Sequence, residues 1–306
     1  MAESRRGEQR PRARYGPDER PRPERGNRRP RPEPGDRRPR QERGDRRPAS
    51  PQREAPRPGL ARKANEPPVP EGIDTRALHR SVRAELRGLP KELAEIVAAH
   101  LIAAGQLIDD DPELAHAHAE AARRRAARLP IVREAAAETA YAAGHYDTAL
   151  SELRAVRRMT GVDDYLPMMA DCERALGRPD AALKLAKEAK RLRLDQAQRV
   201  EMILVEAGAR SDLGQDAEAL RLLADAVATA SPPAVPPSAA ARLHYAYADA
   251  LLSRGSAAEA RTWFETAAKL DPENQIDAQA RIDELDGLVL TVDPADLEPG
   301  ASAEQR

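Results

Sequence analysis

The chain has 306 residues, with 50 Lys and Arg against 51 Asp and Glu, 27 Pro and a single Cys. The near-neutral total hides two opposed segments: residues 1–70 carry 21 basic and 11 acidic side chains, and residues 71–306 carry 29 basic and 40 acidic ones. One cysteine excludes an intrachain disulfide and fits a reducing, cytoplasmic setting, and no apolar run approaches the roughly 20 residues of a membrane span, so no membrane partner is expected.

Residues 1–70 hold 15 of the prolines, and Leu60 and Val69 are nearly their only large apolar side chains. Burial cannot offset the entropy of ordering such a segment, which is expected to be a disordered Arg/Pro-rich tail. Gly26–Pro30, Gly35–Pro39 and Gly44–Pro48 repeat one Gly-Asn/Asp-Arg-Arg-Pro unit every nine residues, a low-complexity pattern. The opening MAESRRGEQR has no apolar run behind its charges and predicts no secretory signal. Residues 71–129 then read as N-terminal helices: Asp74–Arg87, Lys91–Ile108 and Glu113–Leu129. The last two form a hairpin across Asp109–Pro112.

From residue 130 to 274 a four-fold pattern takes over. Gly144, Gly177, Gly214 and Gly255 each follow Ala137, Ala170, Ala207 or Ala248 by seven residues. Each precedes Ala149, Ala182, Ala219 or Ala260 by five, and Leu153, Ala186, Leu223 or Phe264 by nine. Val156, Ala189, Ala226 and Ala267 follow at twelve. Alanine fills 11 of those 12 small-residue positions, where 54 alanines in the last 236 residues would place about three by chance. Apolar residues recur at helical spacing on both sides of each glycine, so each unit predicts two helices joined at a left-handed glycine. Small residues at fixed offsets let the paired helices approach closely. Such a hairpin cannot hide its apolar face alone and must stack on neighbours.

These residues resemble the tetratricopeptide repeat family, whose unit is about 34 residues. The fullest match is 241–274, with Tyr247, Ala248, Leu251, Gly255, Ala260, Phe264, Ala267 and the closing Asp271-Pro272; the family's early first-helix aromatic falls near His244, a departure. The resemblance implies an all-α fold: a right-handed superhelical solenoid of four repeats over 130–274, with 91–129 as a degenerate repeat. Residues 275–290 would hold a capping helix, 275–285, and 291–306 a disordered tail. The Ala-, Arg- and Glu-rich composition is similar to that of tetratricopeptide proteins from actinobacteria with high-GC genomes. The resemblance also implies that first-helix residues line a concave, partner-binding face. Carried over unit by unit, these are Glu134, Glu138, Tyr141 and Ala142; Pro167, Asp171, Arg174 and Ala175; Leu204, Gly208, Ser211 and Asp212; Tyr245, Asp249, Leu252 and Ser253. An acidic groove with Tyr141 and Tyr245 as stacking faces would prefer an Arg- or Lys-containing peptide. The chain's own tail, in cis or in trans, is one candidate.

No phosphate-cradling glycine loop, zinc-spaced Cys/His set or nucleophile elbow is present, so no enzyme activity, cofactor or metal is expected. His116 and His118, two apart, read as unrelated surface histidines, and His145 as a turn residue. Asp109–Asp111 and Asp163-Asp164 read as capping or turn acids, and Cys172 as a buried, inert thiol. Arg123, Arg124, Arg125 and Arg128, echoed by Arg154, Arg157 and Arg158, read as solvated faces. The expected function is a non-enzymatic peptide-binding adaptor, its tail modulating the binding. The alternative is association with RNA or DNA phosphates through the Arg-rich tail.

Overall fold

Amphipathic, alanine-rich segments bounded by Pro, Asp and Gly become helices throughout a computed structural model, which describes residues 60–69, 72–230 and 235–288. All of these lie in the unit Glu54–Arg306. The expected disorder of 1–70 and 291–306 falls outside this set except at 60–69, and there the expectation is corrected: Glu66 N bonds Lys63 O at 3.1 Å in a turn, and the buried Glu66 carboxylate pairs with Arg124 and Arg125, which anchors the segment. Among the described residues there is no strand. The helices are α1 Arg80–Leu86, α2 Lys91–Leu107, α3 Pro112–Ala126, α4 Pro130–Ala142, α5 Tyr146–Thr160 and α6 Leu166–Ala175, followed by α7 Pro179–Ala189, α8 Gln196–Asp212, α9 Asp216–Thr229, α10 Pro237–Ser253, α11 Ala257–Leu270 and α12 Ala278–Leu285.

Local chemistry sets the starts. Proline lies in the first turn of α3, α4, α6, α7 and α10, where its missing N–H costs nothing. Asp111 accepts from Leu114 N at 3.0 Å, and Asp195 and Gln198 form a reciprocal capping box on α8. The single helix expected over 74–87 is instead divided into a 3-10 turn, Thr75–Ala77, and α1. Asp74 accepts from Arg76 N and His79 from Ser81 N, so side chains satisfy amides that a continuous helix would have used. The last helix starts at Ala278 and not at 275, because Asp271 accepts from Ile276 N at 2.8 Å and holds a turn there.

The four glycines end their helices in one way. Their φ angles are 75°, 71°, 71° and 84°. After each, the next amide reaches back five residues: His145 N to Ala140 O at 2.8 Å, Arg178 N to Glu173 O at 2.9 Å, Gln215 N to Arg210 O at 2.8 Å and Ser256 N to Leu251 O at 3.1 Å. That is the six-to-one closure of a left-handed helix cap, and it turns the chain straight into the second helix. The paired alanines are buried at the join, as are Leu153, Leu223 and Phe264. His244, in the departing position, is buried against Trp263 with ring centroids 5.3 Å apart. A ring still fills the space, though not the family's aromatic.

Each helix from α2 to α11 packs on its successor, and α2 on α4, α6 on α8 and α8 on α10 as well. Apolar clusters follow the chain in order: Leu86–Val132, Ala137–Ala209, Val200–Leu243 and Ala248–Ile282.

Candidate functional site

The first helices of successive hairpins, α4, α6, α8 and α10, enclose two adjoining cavities. One, of about 580 Å³, is lined by Tyr141, Asp164, Tyr165, Pro167, Met168, Asp171, Glu201, Leu204, Val205 and Arg242, among others. The second, of about 460 Å³, is lined by Ser211, Asp212, Asp216, Tyr245, Asp249, Ser253 and Arg254, among others. Arg174, Leu204 and Gly208 border both.

Hydrogen bonds tie the floor together across three hairpins. Tyr141 OH donates to Asp171 Oδ2, Arg174 Nε to Asp171 Oδ1 at 2.9 Å, and Arg174 Nη1 to Asp212 Oδ2 at 3.4 Å. Gly208 makes room for that arm, since a Cβ there would lie 3.3 Å from Arg174 Cδ and Nε. At the far end Arg281 of α12 donates to Asp249 Oδ1 at 3.0 Å, and the Asp277 carboxylate stands near the Tyr245 phenol. Burial and that carboxylate push the Tyr245 phenol up to about 12.

The sequence-predicted residues therefore divide. Tyr141, Asp171 and Arg174 share the first cavity, and Arg174, Asp212, Tyr245 and Asp249 the second. Glu134 and Glu138 line neither; they sit beside the first, around Tyr165, whose hydroxyl donates to Glu138 Oε1 at 3.0 Å. Burial raises the carboxyl pKa of both, and Glu134 is raised further by Glu85, Glu138 and Asp164. Both tyrosines are packed edge-on inside the fold: Tyr141 on Tyr146 with centroids 5.6 Å apart, and Tyr245 on Phe264 at 5.1 Å.

Sequence reasoning missed Asp164, Tyr165, Glu201 and Arg242. Arg242 Nη2 lies 2.6 Å from Glu201 Oε1, linking α10 to α8. Asp164, Glu201 and Arg242 each stand thirteen residues before a repeat glycine. That is one helical turn beyond the outermost position considered, so extending the inner face by a turn would have found them.

The arginine clusters are a correction. They are not free solvated faces, because most of their members are taken up in ion pairs. Arg123 binds Glu120 and Glu152, Arg124 and Arg125 bind Glu66, Arg154 binds Glu173, and Arg157 binds Asp163 and Glu188. Only Arg128 and Arg158 of the seven follow the expectation plainly, both being exposed. Buried Glu66, Glu152 and Glu173 on neighbouring elements pair with Arg123, Arg124, Arg125 and Arg154, and the partly exposed Asp163 and Glu188 with Arg157.

The histidine reading is corrected too. His118 is buried, its Nδ1 2.9 Å from His100 Nδ1, and His116 is half-buried with its ring 5.4 Å from that of His145. An alanine-rich hairpin leaves room for rings between its helices. Cys172 is fully buried, and burial pushes its thiol up to about 12, so it stays protonated and unreactive.

Among the described residues no group of three or more His, Cys, Asp or Glu is arranged to hold a metal ion, and no helix is long and apolar enough to cross a membrane. Comparison with protein-family models and with curated proteins finds no match to this chain.

Proposed function

We propose that the hairpins stack as a tetratricopeptide-like right-handed superhelix and that the chain is a non-enzymatic cytoplasmic adaptor. Its α4–α6–α8–α10 face holds an extended, basic segment of a partner protein. Four identical glycine closures and clusters of core residues ordered along the chain support the stacking. One observation carries the binding: the cavity between α6 and α8 combines apolar lining (Pro167, Met168, Leu204, Val205) with the carboxylates of Asp164 and Glu201, and beside it, around Tyr165, stand Glu134 and Glu138, both raised by burial and Glu134 further by its acidic neighbours. A guanidinium placed there relieves the repulsion among these acids, and the apolar lining takes the flanking residues. The Arg-rich segment 1–70 adds a salt-sensitive contact to the same partner.

Fluorescence anisotropy with a labelled ten-residue Arg/Pro peptide, beside a Glu/Pro control, tests the reading. The basic peptide alone should bind, about tenfold more weakly to the double variant Glu138→Gln, Asp164→Asn. Equal binding of the two peptides, or no loss in the variant, overturns it.

A further inference from the structure

A second group of charges lies on the α2–α3 hairpin. Glu66 closes a turn in the strap 60–69, its amide bonding Lys63 O at 3.1 Å, and its side chain is 1% exposed. Its carboxylate accepts from Arg124 Nη2 at 2.9 Å and contacts Arg125 Nη1, both from α3. Its Oε1 lies 3.4 Å from His100 Nε2 on α2, and His100 in turn abuts His118. Burial works to raise the Glu66 pKa, but hydrogen bonds from Arg124, the Lys63 amide and Arg125 outweigh it and hold the carboxyl below its usual range. Burial lowers His100 to about 4, so it stands neutral beside the acid.

Glu66 is the only buried residue of the strap. Apart from it, one long bond from Arg125 Nη2 to Ala61 O at 3.4 Å ties the strap to α3. The segment is thus held by a charge and hardly by apolar surface. The receptor is the reverse: the Arg125 side chain is 4% exposed and sits deep in the cleft. A buried guanidinium without its carboxylate is strongly disfavoured, so the strap leaves readily only if another anion takes its place. Pro67 and Pro68 keep the residues after Glu66 extended, the form in which a peptide from elsewhere would enter.

We propose that the α2–α3 cleft formed by His100, His118, Arg124 and Arg125 is a carboxylate-binding site, filled in the resting chain by Glu66 and open to exchange for a Glu- or Asp-bearing extended segment of a partner protein. The site is separate from the groove and opposite to it in charge preference, so it does not depend on the reading above.

The test uses the full chain with Glu66→Ala and Glu66→Gln, probed with a labelled synthetic peptide of residues 60–69 and its Gln-for-Glu version. The native peptide should bind Glu66→Ala about tenfold or more tightly than its Gln version does. The unsubstituted chain should bind either one more weakly, because Glu66 competes in cis. Hydrogen exchange should show the strap amides released in Glu66→Ala and, in milder form, in Glu66→Gln, with α2 and α3 still protected. Equal peptide binding by all three chains overturns the proposal. So does a native-like α2–α3 that binds no peptide, or loss of α2–α3 protection in both variants, which would make the carboxylate purely structural. Dimerisation of the unsubstituted chain that Glu66→Ala abolishes would make a second copy's strap the occupant and overturn the choice of partner.

Discussion

Glu201 and Glu206 stand five residues apart on α8, and the fold treats them in opposite ways. Glu206 is 4% exposed in the seam between hairpins, 3.0 Å from Lys190 Nζ and 2.9 Å from Arg210 Nη2. Burial alone would raise its pKa, but the two cations outweigh burial and lower it. Glu201 borders the groove with one cation, Arg242, whose side chain is half exposed. There burial wins and the pKa is raised. Glu173 in the seam is likewise flanked by two cations, Arg154 and Arg178, and Glu138, beside the groove, is raised by burial as Glu201 is. At Glu206 two cations hold the charge within the molecule, whereas at Glu201, Glu134 and Glu138 burial outweighs the partners and disfavours it.

The largest effect should come from removing a seam acid. Glu206→Ala removes a buried carboxylate from beside the partly buried Arg210, while the exposed Lys190 turns to solvent, and should lower stability by about 1–2 kcal/mol, read from a denaturant midpoint. Glu138→Gln should leave that midpoint within about 0.5 kcal/mol, because it deletes a charge that burial already disfavours. If the two substitutions cost the same, the contrast between seam and groove is wrong.

Acid should separate the regions without mutation. Glu206 has a folded pKa below the ordinary 4.5, so its contribution is present above 4.5 and is lost as the pH falls through the lower folded value. Glu134, Glu138 and Glu201 have folded values above 4.5, so their ionisation burdens the fold at neutral pH and the burden lifts as the pH falls towards 4.5. Titrated from neutral to about 4.5, the chain should lose affinity for a basic peptide while its helical circular dichroism holds, with unfolding only at lower pH. Simultaneous loss of both would deny the groove acids their separate behaviour.

The helix pattern was legible because glycine, alanine and proline act locally: a positive-φ cap, a close approach and a helix start can each be read within a few residues. The pairing of charges was not. Arg123 and Glu152, or Arg154 and Glu173, lie 29 and 19 positions apart and meet only because one hairpin rests on the next. A run such as Arg123-Arg124-Arg125 therefore looks like an exposed basic face until the partner carboxylates are placed. The groove was half legible. Its middle positions followed from the repeat, but Glu201 and Arg242 needed the inner face to be followed one turn further.

Glycine gives the smallest and most discriminating comparison. Gly214 has φ 71° and open space where a Cβ would stand, so Gly214→Ala suffers only backbone strain, about 1 kcal/mol. Gly208 lies inside α8 with helical geometry, and there a Cβ meets the Arg174 arm at 3.3 Å. That arm can yield, because its bond to Asp212 is long at 3.4 Å and its side chain is 35% exposed. Alanine also regains helix propensity, so Gly208→Ala should stabilise the chain by about 0.5 kcal/mol. It should also push Arg174 into the channel between the two cavities and weaken peptide binding a few-fold. Gain of stability with loss of binding would mark Gly208 as a residue kept for the groove; loss of stability would show that Arg174 is held too firmly to move.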